Sequence, residues 1–174
     1  MSEPAPAAPV PAPPVTGPIP RSSHAQQTPA GIDPRGPRFG AWINLVLLAG
    51  VLLLGAWPAA ATALLAVIVV SFAIGTFRGV GHTWQGWVFR RFVRPRLAPP
   101  TELEDPRPPT FAQLVGLVIT GAGLVLGLIG VPYAVPVAAA LALVAAFLNA
   151  VFGLCLGCEM YLLGVRLRAG RVAT

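Results

Sequence analysis

From Phe39 to Phe77 the chain carries no charged residue, and from Phe111 to Gly157 it again carries none. Apolar runs of that length have few places to go. A helix needs about 20 residues to cross a hydrocarbon core of roughly 30 Å, so each run is long enough for two spans. Composition agrees, with 55% hydrophobic and only 10% charged residues and a mean hydropathy of +0.73. A globular domain carries about 25% charged residues. A deficit this deep marks a membrane protein.

Each run carries one break. Trp57 and Pro58 divide the first into helices at about 39–57 and 59–77. Trp57 suits the interface at that turn, and Pro58 suits the first position of the second helix. Gly130, Val131, Pro132 and Pro136 divide the second run into helices at about 111–129 and 135–156, the last able to run on to Leu163. The expected fold class is therefore all-α integral membrane, with four transmembrane helices as two hairpins.

The hairpins share a lead-in. DPRGPRF at 33–39 returns as DPRPPTF at 105–111, and at that offset of 72 residues ten of 23 positions match between 33–55 and 105–127. Matches of Leu, Val and Gly come cheaply in apolar sequence. The matches at Asp33, Pro34, Arg35, Pro37 and Phe39 do not. Residues 1–32 form a Pro/Ala-rich arm, expected to be disordered, in which His24 is a solvated side chain. The arm lacks the basic and apolar regions of a signal peptide. Residues 33–77 and 105–163 are the two repeats. Between them, 78–104 is a basic, aromatic interfacial segment followed by an acidic, Pro-rich connector, and 164–174 is a basic tail.

The positive charges set the topology. All twelve are Arg, against six acids, giving a net charge of +6. They fall before the first helix, within 78–110 and after the fourth helix, while the two hairpin turns carry none. The positive-inside rule puts every basic segment, and both termini, in the cytoplasm. The two hairpins are then parallel repeats about an axis along the membrane normal. Arg that flanks apolar runs is also not the clustered soluble face of a nucleic-acid binder. Within GHTWQGWVFRRFVRPRL, Trp84 and Trp87 share an arc with Val88 and Phe92, apart from Arg90 and Arg94. With Arg91 and Arg96 added, this reads as a short helix lying on anionic headgroups. A basic loop without fixed structure is the plainer alternative.

Small residues mark packing faces. Gly116, Thr120, Gly123 and Gly127 form a stripe on the third helix, and Ala145, Asn149, Gly153 and Gly157 form one on the fourth. Such faces should meet each other or a second copy of the chain. Asn149 is expected to make an interhelical hydrogen bond, with a substrate contact as the lesser alternative.

One stretch could carry chemistry: NAVFGLCLGCEMY, which holds both cysteines of the chain, Cys155 and Cys158, followed by Glu159. CxxC is a redox or metal spacing. At the C-terminal end of a fourth helix, however, the dipole and Glu159 both disfavour a thiolate. Cβ atoms three apart on a regular helix are about 5–6 Å from each other, too far for the ~3.8 Å of a disulfide. The pair closes only if Gly153 or Gly157 breaks the helix and a new turn begins at the cysteines, and in a reducing compartment a resting dithiol is expected rather than a structural disulfide. Zinc would need two further ligands, from His82 or a second protomer. Small apolar packing residues are the bland reading. No nucleotide-binding loop, Ser/His/Asp set, cofactor motif or intramembrane carboxylate pair is present.

The order IDPRGPRF, FRRFVRPRLAPPTELEDPRPPTFAQLVGL and AAFLNAVFGLCLGCEMYLL resembles a bacterial, actinobacterial-type integral-membrane family, domain of unknown function 4395, over about residues 31–165. The resemblance implies a bacterial inner-membrane protein encoded beside thioredoxin-like or sulfurtransferase proteins. It also implies a CxGCxxY pattern at Cys155, Gly157, Cys158 and Tyr161. The leading expectation is a membrane partner in thiol-redox or sulfur transfer. Cys155 and Cys158 would be its dithiol, Glu159 would tune it, and Arg90–Arg96 would dock on lipid or an acidic partner. The rival is a non-enzymatic scaffold whose cysteines pack. A small-solute transporter comes third, disfavoured by the lack of intramembrane charge.

Overall fold

The computed structural model describes residues 31–172. Residues 1–30 of the N-terminal arm, with His24, lie outside that range. The first long helix, α1, runs Arg35–Leu53 and tightens into a 3₁₀ turn through Ala56. Trp57 leaves helical geometry and Pro58 opens α2, Pro58–Arg78. A short helix α3, Trp84–Val88, continues as a π turn over Phe89–Val93 and a 3₁₀ turn over Arg94–Arg96. Then come α4, Arg107–Leu128, and α5, Ala134–Phe147, which is prolonged by a π turn over Leu148–Phe152. The last helix is α6, Leu156–Val172. Four of these segments are long and apolar enough to cross a membrane. The 22 residues of Arg35–Ala56 span about 33 Å at 1.5 Å per residue.

The two lead-ins start their helices in the same way. Asp33 Oδ1 accepts the Arg35 N–H at 3.0 Å, and Asp105 Oδ1 accepts the Arg107 N–H at 2.9 Å. Each carboxylate thus satisfies an N–H that a helix start leaves open. Just upstream, Ile32 and Glu104 exchange both backbone hydrogen bonds, at 2.9 and 3.0 Å, as an isolated antiparallel bridge. The bridge puts the N-terminal ends of α1 and α4 side by side on one face. The second hairpin turn, at the far end, uses left-handed backbone at Gly130 (φ +86°) and Tyr133 (φ +62°).

The core is built from Leu48 and Val51 of α1, Leu65 and Ile68 of α2, and Ala139 and Ala142 of α5. The outward faces are no more polar than the core. Val46 is 69% exposed and Val118 61%, which water would penalise and lipid tails would not. The α4 stripe meets α5, but at Ala138 and Val135 rather than at the expected stripe of Ala145, Asn149, Gly153 and Gly157. A Cβ at Gly123 would overlap that of Ala138, and one at Gly127 would lie 2.6 Å from Val135. Gly116 instead packs on Phe72 of α2.

Two expectations are corrected. The fourth span does not continue through 156. Gly153 takes a left-handed φ of +70° and closes the π turn, and the chain restarts as a separate helix. The C-terminal residues as far as Val172 belong to that helix rather than to a free tail. Residues 80–96 are helical turns, so the unstructured-loop alternative falls. Trp84, Trp87 and Phe92 are exposed, as their shared arc implies, with Trp87 and Phe92 in edge contact at 5.8 Å.

Candidate functional site

The break at Gly153 reverses the setting of the cysteines. Cys155 stands immediately before α6, and its carbonyl accepts the Glu159 N–H at 3.0 Å as the helix begins. Its Sγ accepts the Cys158 N–H at 3.3 Å. Cys155 is therefore the N-cap residue and Cys158 lies in the first turn. The expected placement at a helix C-terminus was wrong because it carried the fourth helix through Gly153. At an N-terminus the dipole and the open N–H groups favour a thiolate. The two cysteines form a disulfide with Cα atoms 5.2 Å apart, inside the usual 4.4–6.8 Å. The pair is thus closed rather than the expected resting dithiol, and the condition for closure, a glycine break with a new turn at the cysteines, is the arrangement observed. Both cysteines are half-buried, and Glu159 is exposed.

Neighbouring residues hold this corner in place. The Arg38 guanidinium of α1 donates to the carbonyls of Ala150 at 3.0 Å and Val151 at 2.9 Å. It thereby satisfies the end of the α5 π turn and brings a positive charge close to the turn that precedes Cys155. Gly157 is buried against Ala112 of α4, where a Cβ would lie 2.6 Å from the Ala112 Cα. Phe111 and Tyr161 stack with centroids 5.8 Å apart. These contacts seat α6 on the N-terminal part of α4. Asn149 makes no interhelical side-chain hydrogen bond among the described residues. Its carbonyl accepts the Gly153 N–H at 3.0 Å, and its side chain lines a cavity together with Cys155.

A second polar group was missed. Gln85 of α3 is buried, accepting the Ser71 hydroxyl at 2.7 Å and donating to Asn44 Oδ1 at 3.1 Å. The exposed Trp residues dominate the pattern of α3, and Gln85 and Phe89 lie opposite them. That pair, spaced i and i+4, points into the protein. Asn44, Gln85, Arg90 and Arg94 line a cavity of about 280 Å³ at the basic face. Arg90 also donates to the Gly81 carbonyl. Arg91 and Arg96 are exposed, with the Arg91 guanidinium 5.6 Å from the Phe92 ring centroid. At the same face Arg35 grips Asp33 through two 2.9 Å bonds and ties down the connector through the Ala98 carbonyl at 3.0 Å. The Arg35 hydrogen bond holds the Asp33 carboxyl below its ordinary value. Among the described residues no three His, Cys, Asp or Glu come together as a metal site.

These features define a class: a four-span helical membrane protein with a cysteine pair opening a fifth long helix at its basic face. The chain matches the family described as a domain of unknown function (DUF4395) over residues 32–166 and belongs to that family. No curated protein and no solved structure matches it significantly.

Proposed function

We propose that Cys155 and Cys158 are a working dithiol/disulfide that exchanges with a soluble thiol protein at the membrane surface. A thioredoxin-like or sulfurtransferase partner would suit that chemistry. The observation that carries this reading is the position of Cys155 as the N-cap of α6, with its sulfur on the Cys158 N–H. A thiolate partner attacks the Cys158 sulfur and the S–S bond breaks. Cys155 leaves as a thiolate held by the helix N-terminus. The partner's second thiolate then attacks the mixed disulfide, so the partner is oxidised and Cys155 and Cys158 remain as the dithiol. Glu159 tunes the pair, and its charge, one residue beyond Cys158, keeps the thiolate from being stabilised too far.

We further read the chain as two copies of one unit, with the basic face in the cytoplasm of the bacterial inner membrane. The matched lead-ins and the Ile32–Glu104 bridge, 72 residues apart, support the repeat, and the placement of Arg beside the spans supports the orientation. In it Trp84, Trp87, Arg90, Arg91, Arg94 and Arg96 rest on headgroups beside the partner's approach.

Differential alkylation in intact membranes, before and after reduction, tests the exchange. Thiols that label only after reduction are expected, together with a mixed disulfide trapped in Cys155→Ser when the soluble partner is supplied as its disulfide and Cys158 attacks it. Thiols that stay slow and reduced under every condition would leave a scaffold with packing cysteines.

A further inference from the structure

Behind the disulfide lies a cavity of about 290 Å³ that exchange with a soluble partner does not use. Cys155 lines it and Cys158 does not, so one residue of the pair borders this space. From Cys155 the cavity runs between the helices to Ile119 of α4 and Leu141 of α5. Leu141 is 58% exposed, so the deep end reaches the surface that faces acyl chains. The volume is just under the range for small-molecule sites, about 300–1,000 Å³.

The walls are mostly alkyl and aromatic, with three amides set among them: Asn44, Gln113 and Asn149. Asn44 is only 8% exposed. Its Oδ1 is taken by Gln85, and its Nδ2 has no partner among the described residues. The side chains of Gln113 and Asn149 have none there either. Amides on the wall of an apolar space can bind an acceptor that an occupant brings in. An occupant must therefore be apolar enough to enter from lipid, carry carbonyl-type acceptors, and suit a site whose one reactive wall is a sulfur. An acyl chain meets only the first condition, and an inorganic anion only the second.

We propose that this cavity binds a lipid-soluble quinone that reoxidises the Cys155–Cys158 dithiol, an inference that rests on the exchange reading above. The Cys155 thiolate adds to the quinone ring and forms a C–S bond. The Cys158 thiolate then attacks the Cys155 sulfur, re-forming the S–S bond and breaking the C–S bond. The quinone leaves as hydroquinone with both electrons and both protons of the dithiol. Electrons thus pass from a soluble thiol to Cys158, then to Cys155, then into the membrane. Asn44, Gln113 and Asn149 bind the carbonyls and hold the ring against Cys155.

The test uses the full chain in lipid nanodiscs, pre-reduced, freed of reductant and kept anaerobic. Decylubiquinone is added, and its absorbance loss is followed alongside thiol alkylation. Two thiols should disappear per quinone reduced, with none lost in Cys155→Ser. Filling the cavity with Ala145→Phe, or removing an amide with Asn149→Leu, should slow the reaction at least tenfold relative to reoxidation by oxidised glutathione. Thiols that react with oxidised glutathione but persist with quinone would overturn the quinone site and leave the exchange reading standing. Thiols inert to both would remove both. Quinone reduction at the wild-type rate in both cavity variants would show reaction from solution and equally overturn the site.

Discussion

Two helix starts on the basic face invite comparison. α3 opens with Thr83, whose Oγ1 accepts the Gly86 N–H at 3.1 Å, while its carbonyl takes the Trp87 N–H at 2.9 Å. α6 opens with Cys155, whose Sγ accepts the Cys158 N–H at 3.3 Å, while its carbonyl takes the Glu159 N–H at 3.0 Å. The three residues of each start are 72 positions from their counterparts, the spacing of the matched lead-ins. One cap is a hydroxyl facing a glycine, the other a sulfur bonded to a second cysteine. The same backbone solution serves structure in the first case and is open to two-electron chemistry in the second. The residue two positions beyond each cap differs to match. Gln85 turns inward to close a buried hydrogen-bond chain, whereas Gly157, its counterpart in spacing, lets α6 lie against Ala112.

The comparison breaks most completely if the thiols are dispensable. Cys155→Ser/Cys158→Ser should abolish disulfide exchange with a soluble thiol protein while the four spans still assemble in the membrane. Exchange is read by mixed-disulfide trapping and assembly by protease protection. Retained exchange would mean that the chemistry lies elsewhere.

The next largest effect concerns whether the first start could carry a CxxC. A Cβ at Gly86 would lie 2.6 Å from the Val80 carbonyl oxygen. Gly86→Cys should therefore destabilise the protein by about 3 kcal/mol, the scale of forced overpacking, and lower its melting temperature in detergent. A neutral result would make the two starts interchangeable.

Arg38→Leu removes two charge-assisted bonds to the end of α5. At about 1.5–3 kcal/mol for hydrogen bonds to charged groups, less here because one is exposed, the loss should be roughly 2 kcal/mol. Exchange should also slow, because the turn before Cys155 loosens. Hydrogen exchange at Ala150–Leu154 would show the loosening directly. Gln85→Leu strands Asn44 and Ser71 and should cost about 1–2 kcal/mol, read as a lower melting temperature with exchange kept.

The smallest effect is the pH response of the lead-ins. Asp33 titrates below its ordinary 3.8 because Arg35 hydrogen-bonds the carboxylate. A depressed carboxyl contributes its stabilisation above that ordinary value and loses it as pH falls through the folded pKa. Stability should thus decline below about pH 3.8, and less so in Asp33→Asn. A melting-temperature series from mildly acidic pH down through that value checks it.

Much of the fold was legible because lipid imposes simple demands. Charge-free runs over Phe39–Phe77 and Phe111–Gly157, with their Trp57–Pro58 and Gly130–Pro132 breaks, are close to what a bilayer requires of two hairpins. The site was less legible. Gly153 sits in an apolar run where glycine also serves helix packing, so spacing cannot say whether it packs or breaks. Gln85 looked like a surface residue because α3 is short and its apolar Trp face dominated the pattern. Arg38 read only as a topology signal, since its carbonyl partners at Ala150 and Val151 lie more than a hundred residues away.

The sequence alone thus determined a four-span helical membrane protein with its positive charge on one face, because hydrocarbon thickness and charge placement act on local composition. Tertiary structure alone decided that the cysteines begin a helix: Gly153 takes a left-handed φ of +70°, and Arg38 of α1 holds the carbonyls of Ala150 and Val151 just before it. It also decided that one cysteine of the pair lines a cavity and that a hydrogen-bond chain of Asn44, Gln85 and Ser71 spans α1, α3 and α2. Those are contacts between residues far apart in the chain, and no local pattern records them.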